Sequence, residues 1–302
     1  MIWQKLVSIF GTFFLVCACI AALAYLIERV TYCRRLKHKI ISSEPKPKSV
    51  AIITGASSGL GRDYAKFLGN YEKYGVDELI IIARRKNRLE ELKSALPIPT
   101  IVYPMDITNN SELTAFKEFL QDKLKTDNLK IKYLINSAGS GIKGLSLELG
   151  SEKENNTANL NCQAQVSMIH TVANLMTDGG NILQIASVAG FNPVAYLNAY
   201  SASKAFIYTY TRGLRAELLP KGINVTTVCP YWIKDTEFIR KANIGSKKLF
   251  LPTTSEQVVK KSLRDADHGF ALSTPGLVAS LDRIFGRLIP DEVLVYFTRL
   301  FV

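Results

Sequence analysis

Cysteine and histidine are scarce in this chain. Its five cysteines are Cys17, Cys19, Cys33, Cys162 and Cys229, and they form no Cys-x-x-Cys pair. The three histidines lie far apart in the sequence. This spacing predicts neither a disulfide framework nor a zinc site. A reaction that needs no metal ion is the simpler expectation.

Acidic residues are outnumbered by basic ones. The chain has 38 lysines and arginines against 26 aspartates and glutamates, and its formal net charge is +12. The basic residues are spread along the chain, apart from clusters at residues 29–39 and 84–88. Neither cluster comes with a nucleic-acid-binding motif, so we expect no nucleic-acid partner. Attraction to anionic lipid headgroups explains the first cluster better.

A segment without charge precedes the first basic cluster. Residues 6–26 contain no charged side chain, and these 21 residues at about 1.5 Å each span a hydrocarbon core of about 30 Å. We therefore predict a transmembrane helix within residues 1–28 and a basic juxtamembrane linker at residues 29–48. The positive-inside tendency places the rest of the chain on the cytoplasmic side. A cleaved signal peptide is the competing interpretation, since residues 21–24 include small side chains suited to processing.

The rest of the chain has the pattern of one α/β domain. About 255 residues remain, which is enough for a substantial core. Strand-like apolar runs alternate with helix-sized segments, as in a parallel sheet covered on both faces. The runs occupy residues 51–54, 79–83, 100–106, 133–136, 180–186 and 224–229. We predict a doubly wound parallel sheet in residues 49–270 and an apolar C-terminal tail in residues 271–302.

A glycine-rich turn follows the first predicted strand. From Thr54 the chain runs Thr-Gly-Ala-Ser-Ser-Gly-Leu-Gly, just before a helical segment. Glycine lets the backbone approach a pyrophosphate, and the first amides of a helix present unpaired donors to an anion. The candidate dinucleotide-binding residues are Gly55, Ser57, Ser58, Gly59, Leu60 and Gly61. The alternative is that these glycines only pack a helix on a strand.

A set of three residues in the second half of the chain has side chains suited to proton transfer. Tyr200 and Lys204 stand four residues apart and share one face of a helix, and Ser187 lies thirteen residues before Tyr200. An adjacent cation favours the phenolate of a tyrosine, so we predict that Lys204 lowers the pKa of Tyr200. Tyr200 would then exchange a proton with a carbonyl or alkoxide, and Ser187 would stabilise charge on the substrate oxygen. The alternative is an exposed helix pair and a hydroxyl that closes a turn.

Together these residues resemble the short-chain dehydrogenase/reductase family. Its signature combines a Thr-Gly-x-x-x-Gly-x-Gly turn, an Asn-Asn-Ala-Gly segment and a Ser, Tyr-x-x-x-Lys active site. The resemblance runs from about Pro47 to about Asp267, and residues 136–139 match the second motif with serine in place of its second asparagine. It implies a Rossmann-type fold and a nicotinamide-dependent oxidoreductase. Members with a comparable N-terminal anchor include hydroxysteroid dehydrogenases and long-chain 3-oxoacyl reductases.

The end of the second predicted strand indicates which dinucleotide is used. An acidic residue at this position accepts hydrogen bonds from the ribose 2′-hydroxyl of NAD. This chain has Ala83-Arg84-Arg85 instead, and a guanidinium suits a 2′-phosphate through forked, charge-assisted contacts. We therefore predict NADP(H), held by Arg84 and Arg85. The alternative is that both arginines are solvated residues at the start of the next helix.

The resemblance implies further cofactor contacts. They are Asp106 and Ile107 at the adenine, Asn136 and Ala138 at its ribose, and Pro230 with Ile233 at the nicotinamide. Asp106 has an alternative role as a helix cap, and Asn136 as a tie between strands. After Pro230 the chain departs from the family pattern, because Tyr231 replaces a glycine and Thr236 stands one residue later than its counterpart.

A fourth active-site residue is also implied by the resemblance. Asn159 resembles the family asparagine that holds a water between the lysine and solvent, and Asn155, Asn156 and Asn161 are its neighbours in sequence. The resulting interpretation is an NADP(H)-dependent enzyme that interconverts a ketone and a secondary alcohol. The alternative function is a membrane-attached redox sensor or scaffold that binds nucleotide without catalysis.

Substrate choice in such folds depends on the segment after the sixth strand and on the C-terminal tail. The tail has an amphipathic stretch at residues 277–289 and an apolar stretch at residues 293–302. These stretches predict a lid, a homodimer interface or a contact with membrane lipid. A membrane-bound enzyme meets lipid-soluble compounds at high local concentration. We therefore expect a hydrophobic substrate, either steroid-like or a long-chain acyl compound.

Overall fold

A seven-stranded parallel sheet forms the centre of the fold, with strand order β3-β2-β1-β4-β5-β6-β7. The strands are β1 Lys48–Thr54, β2 Glu78–Ala83, β3 Thr100–Pro104, β4 Leu129–Asn136, β5 Asn181–Ile185, β6 Asn224–Val228 and β7 Leu272–Ser273. The strand order reverses between β1 and β4, which makes a switch point where ligands bind in doubly wound sheets. The predicted doubly wound parallel sheet is confirmed.

Three strands differ from the sequence prediction. β4 begins at Leu129, four residues before the predicted start, because exposure alternates along its first half and interrupts the apolar run. β7 was not predicted, since its two residues, Leu272 and Ser273, are too few to show a period of two. β1 begins at Lys48, three residues before the predicted start, and the remaining strands lie within two residues of the predicted runs.

Helices connect the strands and cover the sheet. They are α1 Gly59–Asn70, α2 Lys86–Ser94, α3 Asn110–Thr126, α4 Ser146–Leu149, α5 Ser151–Ala158, α6 Ala164–Ala173, α7 Asn198–Leu218, α8 Ser255–Asp267, α9 Leu277–Phe285 and α10 Asp291–Phe301. A π-helical turn, Asn159–Gln163, joins α5 to α6. Short 3-10 turns occupy Glu72–Tyr74, Val188–Gly190 and Leu219–Lys221.

Apolar clusters cover both faces of the sheet. Along β1, Val50 and Ile52 belong to one cluster, which includes residues of α3 and α6, whereas Ala51 and Ile53 belong to a second, which includes residues of α1 and α8. Successive strand side chains point to opposite faces, so a strand buried on both sides needs a continuous apolar sequence. This burial leaves the carboxyl ends of the strands as the place for polar function.

The computed structural model describes residues 11–12, 15–16, 19–20, 22–23, 26–27, 47–177, 179–238, 251–286 and 289–301. Within these ranges no helix is long and apolar enough to cross a membrane. Most of the predicted anchor at residues 1–28 and of the linker at residues 29–48 lies outside the described residues. Pro45–Val302 forms one compact unit, which holds both the sheet and the C-terminal tail.

Candidate active site

Two glycines of the turn lie in close contact with neighbouring backbone atoms. Gly55 has a φ of +69°, and a Cβ built on it would lie 2.9 Å from the backbone of Ala138. A Cβ on Gly61 would lie 2.5 Å from the carbonyl oxygen of Gly55. Neither position has room for a side chain, so the turn brings the start of α1, with its unpaired amides, to the switch point.

A cleft of about 1250 Å³ opens at the carboxyl ends of the strands. Of the predicted cofactor residues, those that line it are Gly55, Ser57, Ser58, Gly59, Leu60, Arg84, Arg85, Asp106, Ile107, Ala138, Tyr200, Lys204, Pro230 and Ile233. Gly61 and Asn136 are not in its wall. Most of the predicted set is therefore brought together in one concave site.

Asn136 lies beneath the cleft and ties neighbouring elements. It is fully buried, and its Oδ1 accepts a hydrogen bond from Thr54 Oγ1 at 3.1 Å. Its Nδ2 donates to the carbonyl oxygen of Gln165 at 3.0 Å and to Gln184 Oε1 at 2.9 Å. Thr54 Oγ1 in turn accepts from the backbone amide of Ala138 at 3.1 Å. Asn136 therefore links β4 to its neighbours β1 and β5 by hydrogen bonds, which is the alternative role considered for it.

Ser187, Tyr200 and Lys204 line one wall of the cleft. Ser187 follows β5 and caps the turn Val188–Gly190, with its Oγ accepting from the amide of Ala189 at 3.2 Å. Lys204 Nζ donates to the carbonyl oxygen of Ile185 at 2.9 Å and lies 5.6 Å from the centre of the Tyr200 ring. Tyr200 is 9% exposed and Lys204 5%. The alternative of an exposed helix pair is wrong.

Burial governs the protonation of this group. It raises the pKa of Tyr200 to about 12, although a hydrogen bond with Ser187 acts in the opposite direction. Burial also lowers the pKa of Lys204 from its ordinary value of 10.5 to about 8. The predicted lowering of the Tyr200 pKa is therefore outweighed by desolvation. At neutral pH the phenol keeps its proton, as a proton donor requires, and most of the lysine stays charged.

Asn161, rather than Asn159, is built into this region. Asn161 is fully buried, and its Oδ1 accepts from the amide of Ser140 at 2.9 Å. Its Nδ2 donates to the carbonyl oxygen of Ser140 at 2.8 Å and to Ser203 Oγ, beside Lys204, at 2.9 Å. Asn159 is half-buried and does not line the cleft. Four asparagines lie within residues 155–161, and only the fold shows that Asn161, in the π-helical turn, contacts the loop at Ser140.

Arg85 lies across the glycine turn. Its Nε and Nη2 donate to Ser57 Oγ at 3.1 and 2.9 Å, and Nη2 also donates to Ser58 Oγ at 2.8 Å. Its Nη1 donates to Glu237 Oε2 at 3.2 Å. Glu237 stands on the segment after β6, and no local sequence signal links it to Arg85. Arg85 is thus held at the turn rather than free in solvent.

Arg84 and Asp106 form a second pair at this end of the cleft. Arg84 Nη1 lies 3.4 Å from Asp106 Oδ2, and the Arg84 side chain is 73% exposed. Asp106 Oδ1 also accepts from the amide of Thr108 at 3.0 Å. Asp106 therefore lines the cleft and closes the turn after β3, whereas α3 is capped by the side chain of Asn109, so the helix-cap alternative for Asp106 is wrong.

The C-terminal helices supply the far wall of the cleft. Asp282 of α9 and Leu294, Phe297 and Thr298 of α10 line it. Thr298 Oγ1 accepts a hydrogen bond from the amide of Ala195 at 3.1 Å. The sequence predicts a lid as one role of this tail, but its amphipathic spacing does not identify which of its side chains line the cleft.

Comparison with known protein families assigns the chain to one of them. The short chain dehydrogenase family matches residues 49–246. The protein belongs to the short-chain dehydrogenase/reductase family and is an oxidoreductase of that class. Among curated relatives, the ketoacyl reductase HetN of a Nostoc species is 27% identical over 253 residues, which cover 80% of this chain and 85% of that protein.

Solved structures agree with this placement. A short-chain dehydrogenase from Sphingobium yanoikuyae in complex with NADPH is 28% identical, with a TM-score of 0.67 over 80% of this chain and 93% of that one. The bulky-bulky ketone specific alcohol dehydrogenase from Comamonas testosteroni is 29% identical, with a TM-score of 0.63 and the same coverage. Structures that share this fold include complexes with NADPH and with NAD.

Proposed function

We propose that the protein is an NADP(H)-dependent oxidoreductase that interconverts a hydrophobic ketone and a secondary alcohol. One observation carries the proposal. Ser187, Tyr200 and Lys204 meet in the wall of the cleft that also contains the glycine turn and Arg85. The relatives of similar fold that act on ketoacyl compounds and bulky ketones support the same reaction class.

The residues at the nucleotide end fit NADP(H). The close approaches at Gly55 and Gly61 leave the space that a pyrophosphate needs beside the first amides of α1. Arg85 is already oriented by Ser57 and Ser58, and its guanidinium suits a 2′-phosphate. Ile107 and Ala138 would lie along the adenosine, and Pro230 and Ile233 at the nicotinamide. When bound, the cofactor supplies the hydride for the carbonyl carbon.

The side chains of this chain supply the proton and hold the substrate oxygen. Tyr200 gives its phenolic proton to the oxygen as the carbonyl is reduced, and Ser187 donates a hydrogen bond to the same atom. Lys204 presents its charge from a position fixed by the carbonyl of Ile185. Asn161 takes the place proposed for Asn159, because it joins the loop at Ser140 to α7. In oxidation the alcohol returns a proton to the Tyr200 phenolate.

An apolar lining supports a hydrophobic substrate. Val194, Trp232 and Phe238 pack against the cluster that contains Leu197 and Tyr200. The ring centres of Tyr200 and Phe238 are 5.1 Å apart. A ketone beside Tyr200 would therefore place its carbon skeleton against aromatic and aliphatic side chains, which favour apolar surface. Steroid-like and long-chain acyl ketones both have such a skeleton.

We also propose that the protein is anchored in a membrane by its N-terminal segment, with the catalytic unit facing the cytoplasm. The uncharged run at residues 6–26 and the basic cluster at residues 29–39 support this. Membrane lipid would be a partner, and a homodimer is proposed through the apolar tail. Alkaline carbonate extraction of the full chain tests the anchor, and release of the protein into the supernatant would contradict it.

Isotope transfer tests the proposed reaction. The full chain would be incubated with hydrophobic ketones and with NADPH or NADH that carries deuterium at the reduced ring carbon. We expect deuterium on the carbinol carbon of the product, with NADPH more effective than NADH at equal sub-saturating concentrations. NADPH binding without transfer to any ketone or acyl ketone would support the sensor or scaffold function instead.

A further inference from the structure

Beyond Ser187 and Tyr200 the cleft ends at a wall that contains a carboxyl group. This far wall is formed by Asn192, Tyr231, Asp282, Leu294, Phe297 and Thr298. Most of it comes from the C-terminal helices and not from the strands that hold the dinucleotide site. Apart from Asp282 its side chains are uncharged, so the carboxyl group is a chemical exception there.

Asp282 is held by one hydrogen bond. Asn192 Nδ2 donates to its Oδ1 at 3.0 Å, and burial raises the pKa of Asp282 to about 6. In the part of the chain that the structure describes, Asp282 makes no ion pair and Oδ2 accepts no hydrogen bond. Oδ2 is not fully buried and Asp282 lines the cleft, so a hydrogen-bond donor on a substrate can reach this acceptor, and hydrogen bonds to charged groups are stronger than neutral ones.

The position of Asp282 assigns it to the substrate half of the cleft. Asn192 stands just after the turn Val188–Gly190, which Ser187 caps. Tyr231 follows Pro230, and its phenol pKa is raised by burial and also by the negative charge of Asp282. The carboxyl group therefore lies near the loops that carry Ser187 and Pro230, whereas Arg85 is at the nucleotide end.

Resting on the proposed function, we propose that Asp282, positioned by Asn192, selects ketones that carry a hydroxyl group remote from the carbonyl. The hydroxyl would donate a hydrogen bond to Oδ2 while the carbonyl lies at Ser187 and Tyr200. A substrate with a plain hydrocarbon end would leave the carboxylate unpaired. A substrate with an anionic group at that end would be repelled by the Asp282 carboxylate.

Lys143 lines the same cleft, and its positive charge would favour substrates with a carboxylate at the remote end. It lines the cleft from the loop after β4, where the neighbouring Gly144 donates its amide to the carbonyl oxygen of Tyr196 at 3.0 Å. If Lys143 were the anchor of the remote end, ketones with a carboxylate there would be preferred over hydroxyketones. The two side chains therefore give opposite rankings of the same compounds.

Three matched ketones and a variant test the proposal. Polycyclic ketones with a hydroxyl, a hydrogen or a carboxylate at the end opposite the carbonyl would be assayed with the full chain. We expect kcat/KM to be roughly 10- to 100-fold higher for the hydroxyketone than for its deoxy analogue. In Asp282→Leu this ratio falls to about one while the deoxy ketone is still reduced. Preference for the carboxylate, or an unchanged ratio in the variant, would overturn the proposal.

A second variant separates recognition from docking of the tail. Thr298→Val removes a hydrogen bond between α10 and the amide of Ala195 and keeps the side-chain shape. We expect it to retain the preference for the hydroxyketone; equal loss in both variants would mean that Asp282 only docks α9. Equal turnover of hydroxyl and deoxy ketones by the wild type would overturn this inference alone. Failure to reduce any ketone would overturn the proposed function.

Discussion

Lys204 shows the conflict between stability and chemistry at a single residue. Its pKa is about 8 in the folded protein, against an ordinary value of 10.5. The folded state therefore binds this proton less tightly than the unfolded chain. The resulting destabilisation is fully present below pH 8 and disappears as the pH rises to 10.5. A shift of this size corresponds to roughly 3 kcal/mol.

Replacement of this lysine should stabilise the fold and abolish turnover. Lys204→Met removes the buried charge, and the lost hydrogen bond to the Ile185 carbonyl costs about 1–3 kcal/mol, which removal of the desolvation penalty offsets at pH 7. We expect a higher unfolding temperature at pH 7, a smaller gain at pH 10 and a loss of ketone reduction of roughly 100-fold or more. Thermal unfolding at the two pH values measures the first part. A lower unfolding temperature at pH 7 would refute this reading of Lys204.

Two nearby asparagines form a matched pair for a second test. Asn161→Ala removes three hydrogen bonds from a fully buried site, whereas Asn159→Ala changes a half-buried side chain. We expect the first variant to lose about 1–3 kcal/mol of stability and roughly 10-fold or more in kcat. The second should stay within about 0.5 kcal/mol of the wild type. Stability is measured by denaturant unfolding and kcat by turnover assays. Larger losses in Asn159→Ala than in Asn161→Ala would support Asn159 as the active-site residue instead.

At the scale of elements, the end of β2 is coupled to the segment after β6. Arg85 reaches the glycine turn and Glu237 together, and Arg88 also contacts Glu237. A bound 2′-phosphate would compete with Glu237 for Arg85, because both are anions that accept from the same guanidinium. Cofactor affinity should therefore depend on both elements.

Arginine variants test the cofactor preference. Arg85→Ala should raise the KM for NADPH roughly 10-fold or more and that for NADH much less, because the lost bonds to Ser57 and Ser58 affect both cofactors and the lost 2′-phosphate contact affects NADPH alone. Arg84→Ala should have a smaller effect in the same direction, because Arg84 also lines the cleft but is largely exposed. Glu237→Gln should lower the KM for NADPH. Equal effects of Arg85→Ala on both cofactors would contradict NADP(H) as the cofactor.

Elements with a local signal could be predicted from the sequence, and tertiary contacts could not. Strand β1, the glycine turn and α1 each leave a pattern of neighbouring residues, as does the spacing of Tyr200 and Lys204. The sequence pattern does not distinguish Asn159 from Asn161, and only the contacts of Asn161 with Ser140 and Ser203 do. The contact of Arg85 with Glu237 joins residues far apart in the chain. Asp282 also reaches the cleft only through packing of α9.

At the scale of the whole molecule, the proposed dinucleotide site and the proposed substrate site are formed by different parts of the fold. The switch point between β1 and β4 holds the glycine turn, and α7 brings Tyr200 to the same cleft. The C-terminal helices close the opposite side with side chains that no dinucleotide site requires. In the proposed function, these helices form the substrate-binding wall on a scaffold shared with the family.

The central claim is that Tyr200 provides the proton for carbonyl reduction. Tyr200→Phe deletes one oxygen atom and retains the ring that packs against Phe238. Turnover of a hydrophobic ketone and NADPH binding, followed by fluorescence titration, would be measured on the same preparation. The account predicts a loss of turnover of roughly 100-fold or more with binding preserved. Turnover at the wild-type rate in this variant would contradict it.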